Sequence, residues 1–449
     1  MRVNVKLVNV GEDASAAIRS CVEQNYAAFV KFIDEEIRPE RYEALLVVGA
    51  RDVAEGFAAA ESIDTAGMDA AEILYHTCAK IGKLSGSDAI TAKTESMFRS
   101  PNLSRREFIA GITRGYQLFS EYPLINDSLC EARYGCMKCI EACPEKALSF
   151  SGSLVLDSSR CTKCGLCAAS CPVAAVQMPK FSEDAFIGLL EGLNKVYAPR
   201  RILVLTESDE KHIPYVHVEK LETRTISIRW ILMALKSGLD LLIIRGSVSE
   251  DVQRALINLK NLTGRVLLIK NENLEDIIKE HEFEASGLEA IGFSRSDYWF
   301  NYIVSINSVI KQGTEVEGLS LTEMKVSETC TLCGACSSEC PRNALRIDLS
   351  GELGKLEFNT SLCTGCGFCV NVCPEGSIEI YGQKRVNTKP VSVYQDELVR
   401  CARCGKPIYS KKFYDRLVAK LGKEDPMLKY CNECKQKLIY ERLFRKNQK

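Results

Sequence analysis

Long apolar runs and the common cofactor motifs are missing from this chain of 449 residues. No run of about 18 apolar residues occurs, the length that a transmembrane helix needs. The first residues, Met1–Val8, alternate like a strand and lack the apolar segment of a secretory signal. The chain has no G-x-G-x-x-G loop, no G-x-x-x-x-G-K-[ST] loop and no C-x-x-C-H run. The sequence therefore predicts neither nucleotide binding of these classes nor an attached haem.

Histidine is scarce, with four residues: His76, His212, His217 and His281. Their spacing offers no metal-binding pair. His212 and His217 are separated by Pro214 and suit neither one helix face nor one strand face. The sequence predicts no histidine metal site and no catalytic residue.

Cysteine, in contrast, is abundant, with 22 residues. In a chain this long, C-x-x-C repeats indicate metal ligands rather than a disulfide framework. Because the thiolates must stay reduced until they are loaded, we expect a reducing, cytoplasmic compartment. Cys21 and Cys78 stand apart from every repeat and are predicted to be buried apolar residues of helices.

Two runs of the form C-x2-C-x2-C-x3-C-P lie in the C-terminal half of the chain. This spacing is typical of bacterial-type ferredoxins, in which three thiolates of one run hold a cluster and the fourth ligates the other cluster. Gly334 and Gly367 follow the second cysteine of each run, where the chain needs freedom in φ to coil around a cluster. The predicted [4Fe–4S] ligand sets are Cys330, Cys333, Cys336 and Cys373 for one cluster, and Cys363, Cys366, Cys369 and Cys340 for the other.

A second pair of runs occupies residues 126–180, and only its downstream run is regular. Upstream, Arg133 stands where the first cysteine belongs, and Cys130 lies three residues earlier. We interpret the extra residues as a bulge and expect four irons; a three-iron cluster without Cys130 is the alternative. The predicted ligand sets are Cys130, Cys136, Cys139 and Cys171 for one cluster, and Cys161, Cys164, Cys167 and Cys143 for the other.

Two C-x-x-C pairs of another kind follow, and their cysteines are Cys401, Cys404, Cys431 and Cys434. Two such turns supply a tetrahedron of thiolates that suits structural Zn²⁺. Rubredoxin-type iron is the alternative, but Lys435 stands where the second turn would have glycine. Residues 384–449 carry 18 Lys and Arg against 7 Asp and Glu. This excess indicates either a solvated basic surface or a docking surface for an acidic partner.

Strand and helix signals alternate in the two parts of the chain that hold no cysteine run. Strands are predicted for 2–10, 42–49, 201–206, 240–245 and 265–270, and helices for 14–37, 70–81, 224–236, 250–262 and 274–281. The strand segments after residue 200 are apolar on both faces, which is typical of parallel strands and predicts a doubly wound α/β insert.

The predicted fold class is thus α/β plus α+β, with five parts. These are an N-terminal α/β domain (1–125), a dicluster ferredoxin module (126–180), the α/β insert (181–324), a second dicluster module (325–384) and a basic zinc-ribbon tail (385–449).

Residues 126–180 and 325–382 resemble dicluster ferredoxin domains at every motif position except Arg133. The ribbon after a dicluster module also resembles the tail of hydrogenlyase-type ferredoxin subunits. The insert is weakly similar to the small iron–sulfur subunit associated with heterodisulfide reductase and hydrogenase. The cysteines that hold a two-iron cluster in that subunit are missing between Cys171 and Cys330. The resemblance implies a polyferredoxin-like electron-transfer subunit.

Together these features predict a non-catalytic iron–sulfur subunit of a larger oxidoreductase complex. It would relay single electrons through four [4Fe–4S] clusters between a catalytic partner and an electron carrier, with one Zn²⁺ in the tail. It would reach a membrane only through its partners and would not bind nucleic acid. A self-contained reductase with a substrate site in an α/β domain is the first alternative. A nucleic-acid-binding regulator that uses the basic tail is the second.

Overall fold

The computed structural model describes residues 3–8, 10–26, 30–32, 44–48, 59–86, 122–179, 181–269, 272–281 and 292–446. Its architecture is mixed α/β. Two compact units divide the chain: the first unit comprises residues 1–130 and 137–319, and the second comprises 131–136 and 320–449. The bounds of the five predicted domains remain predictions. Across the described part of the chain, no helix combines the length and the apolarity that crossing a bilayer requires.

The first unit begins with a four-stranded parallel sheet and two helices. The helices are α1 (Glu12–Asn25) and α2 (Ala70–Gly86). The strands are β1 (Val3–Leu7), β2 (Val30–Phe32), β3 (Ala44–Val48) and β4 (Ala59–Ile63), in the order β2-β1-β3-β4.

The helix predicted for 14–37 is too long, because Val30–Phe32 within it is a strand, and residues 33–37 lie outside the described residues. Helix α1 ends at Asn25, and Val30–Phe32 pairs in parallel with β1. Valine and phenylalanine suit a pleated, half-buried surface better than a helix surface. Within the strand predicted for 42–49, β3 is observed, and residues 42, 43 and 49 lie outside the described residues.

The first cysteine-rich part contains two short helices and two small antiparallel pairs of strands. These elements are β5 (Leu124–Ile125), α3 (Lys138–Glu141), β6 (Leu148–Phe150), β7 (Leu154–Leu156), α4 (Leu166–Ser170) and β8 (Val176–Gln177). Strand β5 pairs with β8, and β6 pairs with β7.

The cysteine-free part of the first unit is built on a second four-stranded parallel sheet. Its elements are α5 (Glu183–Leu193), β9 (Ile202–Thr206), β10 (Val216–Lys220), α6 (Ile228–Lys236), β11 (Leu241–Arg245), α7 (Glu250–Thr263), β12 (Val266–Ile269), α8 (Leu274–Glu280) and α9 (Tyr298–Val309). The strand order is β10-β9-β11-β12. The three apolar segments are thus parallel strands, as their pattern indicates. Strand β10 is not apparent from the sequence, because polar His217 and Glu219 alternate with its valines.

Helices α2 and α5 of the first unit cross at glycines. A Cβ placed on Gly82 would lie 2.0 Å from the carbonyl oxygen of Gly188, and one on Gly192 would lie 2.3 Å from that of Cys78. The two backbones therefore approach more closely than any side chain would permit.

The second unit contains two antiparallel sheets and four helices in its described residues. Its elements are β13 (Thr322–Val326), α10 (Ala335–Ser338), β14 (Leu345–Asp348), β15 (Leu353–Phe358), α11 (Phe368–Val372), β16 (Ile378–Gly382), β17 (Val391–Arg400), β18 (Pro407–Ser410), α12 (Lys411–Leu421) and α13 (Asn432–Lys446). The sheets are β13-β16 and β14-β15-β17-β18. Because β15 pairs with β17, the predicted tail after residue 385 continues a sheet of the predicted second dicluster module.

Candidate metal centres

The same backbone turn follows the fourth cysteine of all four runs. The third residue after that cysteine has a positive φ, as at Lys146 (48°) and Ala174 (50°). The next amide donates a hydrogen bond of 3.2–3.3 Å to the cysteine Sγ, and the four pairs are Ala147 to Cys143, Ala175 to Cys171, Ala344 to Cys340 and Ser377 to Cys373. Because an N–H group that points at sulfur favours the thiolate, each turn prepares its cysteine as an anionic ligand.

One cavity of the second unit is lined by the four cysteines of a predicted set, Cys330, Cys333, Cys336 and Cys373. The cavity is partly open to solvent and has Ile347 and Leu356 among its apolar walls. Gly334 precedes helix α10 with a φ of 89°, and the freedom in φ predicted for this glycine is used there. Burial and the three neighbouring thiols raise the pKa of Cys336 to about 12.

The other set of this module, Cys340, Cys363, Cys366 and Cys369, is also grouped. Gly367, with a φ of 82°, precedes α11 as Gly334 precedes α10. Burial, followed by the charges of neighbouring thiolates, raises the pKa of Cys369 to about 12. Cys336 is among those neighbours, so the two sets of the module adjoin each other.

In the first unit, Cys143, Cys161, Cys164 and Cys167 are near neighbours. Burial raises the pKa of the Cys167 thiol well above its ordinary value, and the other three cysteines and Cys139 raise it further. Gly165, with a φ of 77°, begins α4, and a Cβ there would lie 2.0 Å from the side chain of Thr225. A glycine is therefore required at this position.

The irregular upstream run differs from the other three at its first cysteine. Cys130 packs in one apolar cluster with Cys139 and Cys171. The extra residues form a short 3-10 helix, Ala132–Tyr134, after which the amide of Cys136 donates to the carbonyl of Glu131. Arg133 is exposed, and its guanidinium lies 4.8 Å from the ring centroid of Tyr134. Four irons at this run, with Cys130 as a ligand, stays a prediction.

These thiol environments fit iron–sulfur clusters. At Cys167, Cys336 and Cys369 the raised pKa keeps the free thiol protonated, so loading with iron must release protons there, as for any thiolate metal site. Groups of sulfur ligands around apolar, partly enclosed space suit iron clusters rather than hard cations. The ligand assignments themselves remain predictions.

Glu131 adds a buried carboxylate to the second unit that motif analysis did not reveal. The hydroxyl of Thr364 donates to Oε2 of Glu131, and Nε of Arg342 lies 4.0 Å from Oε1. Burial raises the pKa of Cys366, and the charge of Glu131 raises it further. Glu131 and Thr364 are 233 residues apart in sequence, so no local pattern could connect them.

The sulfur atoms of Cys401, Cys404, Cys431 and Cys434 all lie within 4.8 Å of one another. The first pair lies in the hairpin between β17 and β18, and the second pair lies at the start of α13. Burial raises the pKa of Cys401, but the backbone amides of Cys431, Cys404 and Arg403 outweigh it and lower the pKa to about 6. Burial and the other thiols raise the pKa of Cys434 to about 12. The group has the composition and compactness of a tetrahedral thiolate site.

Two further groups contain residues that the sequence presents as isolated. Cys21 and Cys78, 57 residues apart, are buried with their sulfur atoms 2.7 Å from each other. His76 and His217, 141 residues apart, also meet, with Nδ1 of His76 2.9 Å from Nδ1 of His217. His212 and Glu72 lie close to His76. Only packing could reveal these groups, since their members lie in different elements.

Comparison with known families identifies two matching regions. Residues 132–175 and 329–377 match the model of the 4Fe-4S dicluster domain. No curated protein matches the chain. The first matched region includes Cys136 but begins after Cys130. The two dicluster domains support an iron–sulfur electron-transfer role for this protein.

Proposed function

We propose that this protein is the electron-transfer subunit of a multi-subunit oxidoreductase, with four [4Fe–4S] clusters held by the sixteen predicted cysteines. The observation that carries the proposal is the pair of dicluster regions. The grouping of both crossed ligand sets in the second unit adds support. The wider similarity to the subunit associated with heterodisulfide reductase and hydrogenase is part of this proposal.

A bound [4Fe–4S] cluster takes up and releases one electron at a time. The residues of the chain determine how readily that happens. Backbone amides donate to Cys143, Cys171, Cys340 and Cys373, and thereby stabilise negative charge on sulfur. Apolar side chains such as Leu356 and Ile378 limit the access of water. Nearby charged groups then shift the potential of each site.

The first test is the metal content of the full chain purified without oxygen. We expect about sixteen irons from four cubes and one zinc from the four-cysteine group of the tail. The reduced protein should give electron paramagnetic resonance signals of [4Fe–4S]⁺ centres. About four irons in total, or a colourless and silent protein, would contradict the proposal. A seventeenth iron with a rubredoxin-like spectrum, in place of zinc, would reassign the tail alone.

Cys336→Ser tests the ligand assignment in the second module. We expect a loss of about four irons, because one thiolate of a four-cysteine set is missing. Cys21→Ala is the matched control: Cys21 is buried like Cys336 but lies outside every run. Unchanged iron in Cys336→Ser, or equal loss in both variants, would refute the assignment.

A self-contained reductase is the rival function, and its substrate site would be expected at the carboxyl ends of the parallel strands. At that edge of the cysteine-free sheet, Arg245 is paired with Glu210 at 2.5 Å. The hydroxyl of Thr223 contacts Glu207 and accepts from the amide of Ser247 at 3.0 Å. These polar side chains are paired with one another, which favours the relay function over a substrate site at this edge. Sustained conversion of a small substrate by the isolated chain with reduced viologen would favour the rival.

The partners and the compartment are part of the same proposal. We expect a catalytic subunit and an electron carrier, a reducing cytoplasmic setting and no nucleic-acid binding. The basic residues 384–449 would dock against an acidic subunit. Co-purification from the source, followed by dissociation at increasing salt, would identify the partner. Binding of DNA or RNA with a steep salt dependence would instead support a regulator.

A further inference from the structure

A line of buried polar side chains runs along helix α2 in the first unit. Glu72, His76, Lys80 and Lys83 lie at helical spacing, and each is less than a tenth exposed. Such a line is unusual on a helix that otherwise packs in apolar surroundings, because buried polar groups require partners. Strand β10 supplies partners through His217 and Glu219, which point to the same face of the strand.

The protonation of this line follows from its hydrogen bonds. Glu219 is paired with Lys80 at 2.8 Å and Lys83 at 2.5 Å, so its carboxylate is ionised and can only accept. Nε2 of His217, 2.9 Å from Glu219, is therefore the donor. Two buried ammonium groups already balance Glu219, which disfavours a further cation at His217. Nδ1 of this neutral ring then accepts from Nδ1 of His76 at 2.9 Å.

Because Nδ1 of His76 is the donor in this series of hydrogen bonds, the free lone pair of the His76 ring is on Nε2. Within the described residues, that nitrogen is buried and has no hydrogen-bond partner. It faces Oε1 of Glu72, an acceptor, at 3.7 Å. Two buried lone pairs directed at each other are unfavourable unless a cation lies between them.

A third ligand atom approaches the same point from another element. Nε2 of His212, in the segment between β9 and β10, lies 2.8 Å from Oε1 of Glu72. The amide of Tyr215 donates to that oxygen at 2.8 Å and orients the carboxylate. The ligand atoms of Glu72, His76 and His212 all lie within 4.8 Å of one another. Ligands of a tetrahedral site with bonds of 2.0–2.1 Å are about 3.3 Å apart. This value lies between the 2.8 Å from His212 to Glu72 and the 3.7 Å from His76 to Glu72.

We propose that Glu72, His76 and His212 bind one divalent first-row transition metal ion, zinc or ferrous iron, with a coordination position open to solvent. Two imidazoles and one carboxylate suit these ions and not magnesium or calcium, which prefer oxygen ligands. His212 is 31% exposed, whereas Glu72 and His76 are buried, so the open position lies on the His212 side. His217 and Glu219 are positioning residues, which fix the tautomer and orientation of His76. The proposal does not depend on the clusters.

The test uses the full chain purified without oxygen and zinc as the probe. After equilibration with Zn²⁺ and removal of loosely held ion, we expect one zinc beyond that of the four-cysteine group. His212→Gln should lose this zinc, with an affinity at least a hundredfold lower, and keep its iron. His217→Gln should weaken binding by about 10- to 100-fold through loss of orientation. His281→Gln, a substitution of the fourth histidine, should bind zinc like the original chain.

X-ray absorption at the zinc edge supplies an independent readout. The difference between the original chain and His212→Gln should contain nitrogen and oxygen ligands only, and excess Mg²⁺ should not displace the ion. Equal zinc content in the two proteins would overturn the proposal and leave only a proton between Glu72 and His212. An extra zinc with sulfur ligands would overturn it as well.

Discussion

At the scale of single residues, buried charge of opposite sign accompanies different cysteines. In the first unit, Nη1 of Arg229 donates to the carbonyls of Cys171 and Pro172 at 3.1 Å, and the rest of its guanidinium pairs with the carboxylate of Glu183. In the second unit, the carboxylate of Glu131 lies beside Cys366. A cation stabilises the reduced, more negative form of a cluster, and an anion opposes it. These residues should therefore separate the potentials of the sites that they adjoin.

Glu131→Gln tests this effect in the second unit. We expect the reduction potential of the cluster assigned to Cys363, Cys366, Cys369 and Cys340 to rise by a few tens of millivolts. About 59 mV for one electron corresponds to 1.4 kcal/mol, the scale of one partly screened charge. Redox titration followed by electron paramagnetic resonance gives the measurement. The matched control is Glu352→Gln, which removes an exposed carboxylate of the same unit and should leave the potential unchanged; a fall in Glu131→Gln would contradict the argument.

At the scale of elements, helix α2 connects two sheets of the first unit. It packs on the N-terminal sheet through residues such as Ile73 and Ile81, which share a core with β1 and β3. It also crosses α5 of the cysteine-free part, where Gly82 and Gly188 are in backbone contact. The same helix carries Glu72 and His76, so this crossing helps to position the proposed metal site.

Gly82→Ala should destabilise the first unit. The added methyl group has no space against the backbone of Gly188, and overpacking of this kind costs about 1–3 kcal/mol. Unfolding by urea can be followed by tryptophan emission, because Trp230 and Trp299 are both buried in this unit. Gly292→Ala, at a glycine with no atom within 4 Å of the added Cβ, is the control. Equal free energies of unfolding for the two variants would contradict this prediction, because α2 and α5 could then move apart without loss of stability.

At the scale of the whole molecule, the second unit joins a ferredoxin module and a basic tail through one sheet. Strand β17 pairs with β15 of the module and with β18 of the tail. The hydroxyl of Ser410 donates to the carbonyl of Thr331, beside Cys330. The ammonium of Lys412 contacts Glu328 at 2.8 Å. The hairpin that holds Cys401 and Cys404 is therefore anchored independently of the second pair of tail cysteines.

Cys434→Ser should separate the metal of the tail from those of the modules. We expect the zinc content to fall from one to zero and helix α13 to become sensitive to protease, since metal binding contributes the folding energy of such small sites. The iron content should stay near sixteen, because β17 and α12 have their own contacts with the module. Metal analysis and limited proteolysis provide the measurements. Loss of iron together with zinc would mean that the tail and the module fold as one cooperative element.

The sequence by itself determined the cysteine runs and the local turns that follow them. Cysteines two or three residues apart wrap one metal group, and the turn after each fourth cysteine is encoded within five residues. The apolar segments of β9, β11 and β12 were predictable in the same way, because strands buried on both faces consist almost entirely of apolar residues. The bounds of α1 were not predictable in this way, because the pairing of Val30–Phe32 with β1 outweighs the helical periodicity of the sequence.

Only the tertiary structure decided which distant side chains meet. His76 and His217 are 141 residues apart, and Glu131 and Thr364 are 233 apart. No periodicity in the sequence connects such residues, because their contact depends on how sheets and helices pack after each has formed. Strand β10 was not predictable for the same reason. Its polar residues are buried because α2 supplies lysine and histidine partners, and the composition of the strand does not indicate those contacts.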